Sequence, residues 1–110
     1  MAYTIDEILN NPLVTIVERN DADRIYRIRL GELNKVITIR LKKSVIITGT
    51  EYSTSHVIKT PPQDGPYQTS LPFGDTPASA LAKAIGDLTS YYSAAIKAGF
   101  KPSDDWLQPS

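Results

Sequence analysis

The side chains best placed for chemistry in this 110-residue chain are cations. Arg27 and Arg29 alternate with apolar residues along one stretch, and Arg40 and Lys42 do the same along the next. A guanidinium grips phosphate or carboxylate through two parallel hydrogen bonds, so such a set suits nucleic acid or an acidic partner. If the two stretches are neighbouring strands, all four charges emerge on one side of a sheet as a nucleic-acid-binding group. Arg24, Lys35 and Lys43 lie close by in sequence. The same charges would also keep an open sheet face soluble and blunt its edge.

Catalytic and metal chemistry finds less support. The one histidine, His56, follows Ser53, Thr54 and Ser55, which brings a Ser/His pair within reach, but no Gly-x-Ser-x-Gly turn accompanies it. Asp21-x-Asp23 and Asp104-Asp105 read as turn and cap residues. The absence of cysteine excludes disulfides, thiol nucleophiles and thiolate-bound metals. Asp21-x-Asp23 lacks the rest of a calcium loop, and Gly65-Pro66 and Phe73-Gly74 are turn signals rather than a phosphate-binding glycine loop. The expectation is a non-enzymatic protein with no cofactor and no metal.

Hydrophobic residues make up 41% and charged residues 22%, a composition that suits a folded domain rather than a disordered chain. The formal net charge is zero, but it is unevenly spread. Residues 1–23 carry five acids against one base, residues 24–59 eight bases against two acids, and residues 60–110 five acids against three bases. A local positive field on a neutral molecule follows, unless the acidic ends fold over it. No apolar run approaches the roughly 18 residues of a membrane span, and the start lacks the pattern of a secretory signal. A cytoplasmic protein without membrane contact is expected.

The elements that must position the cations are legible in outline. Thr4 and Glu7 have the spacing of a capping box, which opens a helix over 4–10, with Tyr3 and Ile8 placed as a hydrophobic staple. Pro12 ends that helix. Period-two alternation predicts strands at Leu13–Arg19, Arg24–Leu30, Lys35–Lys42 and Ser44–Glu51, joined by short links and therefore antiparallel. His56–Lys59 is a fifth strand or a continuation past a bulge at Gly49. Tyr26, Ile28, Leu30 and Ile37, Ile39, Leu41 face one side, and the cations face the other. The first and fourth strands carry apolar groups on both faces, as a curved sheet, a partial barrel or a subunit interface would require. Residues 60–75 hold four prolines and two glycines. This segment should stay extended, with Tyr67, Leu71 and Phe73 available to dock on the domain or on a protein partner. Thr76 caps a long amphipathic helix over 77–98, whose apolar stripe includes Leu81, Ile85, Leu88 and Tyr92. Gly99 is placed for the left-handed residue that closes it, and Ser103 caps a last turn that returns Trp106 and Leu107 to the core.

Four antiparallel strands followed by one long helix resemble the unit of the whirly-type single-stranded-DNA-binding transcriptional regulators. The wording from Gly65-Pro66-Tyr67 through Leu71-Pro72-Phe73 and Thr76-Pro77-Ala78, with Gly99-Phe100-Lys101-Pro102 and Trp106-Leu107, is similar to a group of uncharacterised cyanobacterial proteins. The resemblance implies a related fold. The chain departs from the binding families in being neutral overall and in lacking a lysine–glycine-rich strand motif.

The expected architecture is a single α+β domain over 1–110. It has a four- to five-stranded twisted antiparallel sheet over 13–59, a short N-terminal helix, one long C-terminal helix on one face, and a tail over 99–110. A homodimer is expected to cover the apolar surface that one helix leaves bare. Two functions fit: a single-stranded nucleic-acid-binding or regulatory protein using Arg27, Arg29, Arg40 and Lys42, or an assembly factor contacting a protein partner through residues 60–75.

Overall fold

Thr4 opens the first element of the computed structural model, which describes residues 4–45, 48–67 and 72–110. The Thr4 hydroxyl accepts from the Glu7 backbone N–H at 3.1 Å, and the Glu7 carboxylate accepts from the Thr4 N–H at 3.3 Å. This reciprocal box starts helix α1 (Ile5–Leu9), which buries Ile8 and Leu9. Tyr3, the expected staple partner, lies outside the described residues.

Strands β1 (Val14–Asn20), β2 (Ile25–Leu30), β3 (Ile37–Lys43) and β4 (Thr50–Thr54) form an antiparallel meander, with β6 (Phe73–Gly74) added beyond β4. The fold is α+β: a five-stranded antiparallel sheet, a short first helix and one long helix packed on the sheet. Tyr26, Ile28 and Leu30 of β2 and Ile37, Ile39 and Leu41 of β3 are all buried on the inner face. Each large aliphatic side chain so buried contributes about 1.5–3 kcal/mol.

Helix α2 (Pro77–Lys97) covers that inner face with Leu81, Ala84, Ile85, Leu88, Tyr92 and Ala95. Its alanines carry only a methyl group and let the helix lie close to the strands. The Thr76 hydroxyl caps its start by accepting from the Ser79 N–H at 3.0 Å. Its end is a Schellman closure: Gly99, at φ 95°, donates to the Ile96 carbonyl, and Phe100 donates to the Ala95 carbonyl. Among the described residues no helix is long and apolar enough to cross a membrane.

After α2 a single 3₁₀ turn (Asp104–Trp106), capped by Ser103, returns Trp106 and Leu107 to the core. The indole stands edge-on to Tyr92 with ring centroids 5.8 Å apart. Strand β7 (Leu107–Pro109) then pairs with β5 (His56–Ile58) in a separate two-stranded sheet.

Two strand positions differ from those expected. The fourth strand begins at Thr50 rather than Ser44, because one residue cannot connect two antiparallel strands. Ser44 instead starts the connection, its N–H donating to the Gly49 carbonyl, and Val45 stands 87% exposed there; Ile46 and Ile47, expected in the strand, lie outside the described residues. The fifth strand of the main sheet is β6 and not His56–Lys59, which leaves the sheet to pair with β7. Among the described residues of the proline-rich 60–75 segment, strand is limited to the two of β6 at an edge, where prolines are tolerated.

Candidate functional site

Residues directly opposite one another in an antiparallel pair share a face, so register decides where the cations point. Arg27 opposes Thr38 and Ile25 opposes Arg40. Arg29 opposes Thr15, and Lys42 opposes Glu51. Arg27, Arg29, Arg40 and Lys42 therefore all stand on the outer face, the one α2 does not cover.

Their order on that face is regular. Counting along the strand axis, Arg29 and Arg27 are followed by Arg40, level with Ile25, and then by Lys42. Each step is two residues, about 6.8 Å, and the line crosses from β2 to β3 between Arg27 and Arg40. The four charges thus form a diagonal of about 20 Å over three steps.

Two carboxylates on the neighbouring strands share the face. Glu18, opposite Arg27, accepts from its Nη1 at 2.6 Å. Glu51, opposite Lys42, also accepts from the Ser44 hydroxyl at 3.4 Å. Arg29, Arg40 and Lys42 are exposed and have no ion pair among the described residues. Arg40, Lys42, Glu51 and Asp23 line a depression of about 350 Å³ over the β3–β4 side of the face. Of the neighbouring bases, Arg24 occupies the β1–β2 turn, and Lys35 turns away to donate to the Leu107 carbonyl at 3.0 Å.

Of the acidic start of the chain, Asp6 and Asp21 are tied up away from this face, whereas Glu18 and Asp23 reach it. Arg19 binds the carboxylates of Asp6 and Asp21, and Asp21 also accepts from the Tyr26 hydroxyl at 2.9 Å. The Arg19 and Tyr26 hydrogen bonds hold the Asp21 carboxyl below its ordinary pKa. Burial and the Asp21 hydrogen bond push the Tyr26 phenol up to about 12.

Of the three expected partner-contact residues, two are described. Tyr67 is half-buried, its ring tilted against Tyr91 at 4.9 Å and its N–H donating to the Ile58 carbonyl. Phe73 sits in β6 opposite Glu51, and Leu71 lies outside the described residues. Gln63 ties this stretch down, with its side chain donating to the Ile58 carbonyl and accepting from the Thr60 N–H.

A second concavity, of about 310 Å³, opens between β4, β5 and α2. Tyr52 and Asp87 enter it from opposite sides, with the phenol oxygen 3.5 Å from Oδ2 of the carboxylate. Burial raises the pKa of Asp87, partly countered by Lys83 and by the Tyr52 hydroxyl. Burial and the nearby Asp87 charge push the Tyr52 phenol well above its ordinary value. His56 also lines the space, and its pKa is lowered by burial and by Lys35. The Ser55 hydroxyl is 2.8 Å from His56 Nδ1 and accepts from the Thr38 N–H. No described hydrogen bond orients the other ring nitrogen, as the base of a nucleophilic pair requires. No described group of three or more His, Asp or Glu residues could hold a metal ion.

Sequence reasoning singled out no residue of α2 as functional and so missed the part of Asp87 in this concavity. A signal was present. Asp87 lies three residues after Ala84, and a small side chain one turn away leaves room for a polar group to turn inward. No family model, curated protein or solved structure matches the chain.

Proposed function

We propose that this protein binds single-stranded nucleic acid, without catalysing a reaction, by laying a phosphate chain along the open outer face. The diagonal of Arg29, Arg27, Arg40 and Lys42 carries the reading. Its two-residue step is comparable with the distance between successive phosphates of an extended strand, so one cation meets each phosphate in turn. A rigid duplex curves away from such a line, whereas a single strand can follow it. Ile25, level with Arg40 on the same face, offers an apolar contact for a base.

The test is fluorescence anisotropy with a labelled oligothymidylate across a salt series. Affinity should fall as salt rises, with a log–log slope of about −0.7 per phosphate neutralised. The Arg29→Glu/Arg40→Glu variant should lose binding and keep the parent's melting temperature, since both side chains are exposed. Absence of binding at about 50 mM salt, where phosphate contacts are strong, would overturn the proposal.

The expected homodimer belongs to the same proposal. Strand β1 is a sheet edge, and its Ile16 and Val17 are each 46% exposed, which supports pairing with a second copy there. Sedimentation of an Ile16→Lys variant should then show a monomer where the parent shows a dimer.

A further inference from the structure

We propose that the concavity between β4, β5 and α2 is a binding site for a small organic cation, an ammonium group carried on an aromatic or aliphatic body. The site is separate from the outer face and does not depend on the nucleic-acid reading.

Its walls supply the body's contacts. Val57, Ile58, Ala84 and Leu88 are apolar, and the Tyr67 ring is held in place by its contact with Tyr91. A volume of about 310 Å³ lies at the small end of ligand-binding pockets and suits a molecule the size of a single ring with a short side chain.

Asp87 supplies the recognition of charge. An ionised carboxylate offers about four acceptor positions, and the contact Asp87 makes with Tyr52, at 3.5 Å, is a long one. A partly buried carboxylate is costly unless a cation or strong donors meet it. Lys83, one turn earlier on α2, lies outside the lining but close enough to favour the ionised form of Asp87. Facing Asp87 from β4, Tyr52 remains a neutral phenol, and His56 on β5 is held toward its neutral form. The lining therefore holds a single negative side-chain charge beside tyrosine rings, whose faces attract cations. An anion entering this space would meet Asp87 and be repelled. A bound metal ion is disfavoured, because Asp87 belongs to no group of three or more His, Asp or Glu residues among those described.

The test uses three probes of matched shape and different charge: phenethylamine, 2-phenylethanol and phenylacetate. Titration followed by NMR should show saturable shifts with phenethylamine, centred on Tyr52, Val57 and Leu88. The neutral and anionic probes should bind at least about tenfold more weakly, a difference of about 1.4 kcal/mol. Asp87→Asn should lose about tenfold in phenethylamine affinity or more while melting no lower than the parent. Tyr67→Leu, which keeps the carboxylate and removes a ring, should weaken phenethylamine more than 2-phenylethanol. Equal binding of the three probes, no saturation with phenethylamine up to about 10 mM, or an unaffected Asp87→Asn would each overturn the proposal. Binding of oligothymidylate should be the same in parent and Asp87→Asn, so failure here and failure of the outer-face reading are separable.

Discussion

Nη1 of Arg27 lies 2.6 Å from Oε2 of Glu18 across the β1–β2 pair. The second cation of the diagonal is therefore partly neutralised by the neighbouring strand, while Arg29 and Arg40 on either side of it are not. Replacing Glu18 with Gln releases Arg27 for phosphate. Oligothymidylate affinity should rise, and the salt slope should steepen by about 0.7, as anisotropy would record. Stability should change by less than about 0.5 kcal/mol, because an exposed ion pair contributes little. A weaker binder would mean that Glu18 orients Arg27 productively rather than competing for it.

Gly31 is held just as specifically, by packing. Its φ is 53°, and a β-carbon there would meet the Tyr92 ring at 2.2 Å. The Tyr92 hydroxyl meanwhile accepts from the Glu32 N–H at 3.0 Å, so the ring cannot swing away without losing that bond. Gly31→Ala combines a left-handed backbone penalty with overpacking and should cost roughly 2–4 kcal/mol in urea unfolding. A loss below about 1 kcal/mol would show that the β2–β3 link moves to make room.

Arg24, at φ 55°, is the one non-glycine residue in the left-handed region among those described. Arg24→Gly relieves that conformation at the end of the β1–β2 turn but enlarges the freedom of the unfolded chain. The balance should be a gain of up to about 1 kcal/mol, read from denaturant midpoints. Oligothymidylate binding should not change, since Arg24 is not part of the diagonal.

His56 sets a slope of stability with pH. Its pKa in the folded protein lies below the ordinary 6.5 because burial and Lys35 disfavour the imidazolium. As pH falls through 6.5 the unfolded chain takes up its proton first, so folding stability drops until the folded pKa is passed. His56→Gln should flatten this drop in urea midpoints measured between pH 7 and mild acid. Asp87 acts with the opposite sign: its folded pKa is raised above 3.8, so stability falls as pH rises through the window above that value. Asp87→Asn should remove that second slope and leave the first.

Local chemistry was the readable part of this chain. The Thr4–Glu7 box, the Gly99 closure and the inward faces of β2 and β3 each depend on residues a few positions apart, and each forms as its spacing requires. The shared face of the four cations followed from the same alternation. What sequence did not disclose depends on partners far along the chain. Glu18 finds Arg27 only because Val17 is an extra residue in β1, shifting the register between Ile16 and Glu18. His56–Ile58 could have continued the main sheet, but a segment some fifty residues later supplies its partner. Asp87 sits at the border of the apolar stripe of α2, where a helical projection does not decide between solvent and a concavity.

The edge-on meeting of Trp106 and Tyr92 has a practical consequence. This is the sole indole of the chain, and it belongs to the turn that docks last in sequence, after the meander and α2. Its emission is therefore a beacon for closure of that final segment and not for assembly of the strands. Stopped-flow traces at the tryptophan wavelength should lag behind the far-ultraviolet circular dichroism signal during refolding if the hairpins form first, as their short loops favour. Superimposable traces would mean that the whole molecule clicks together in one concerted step.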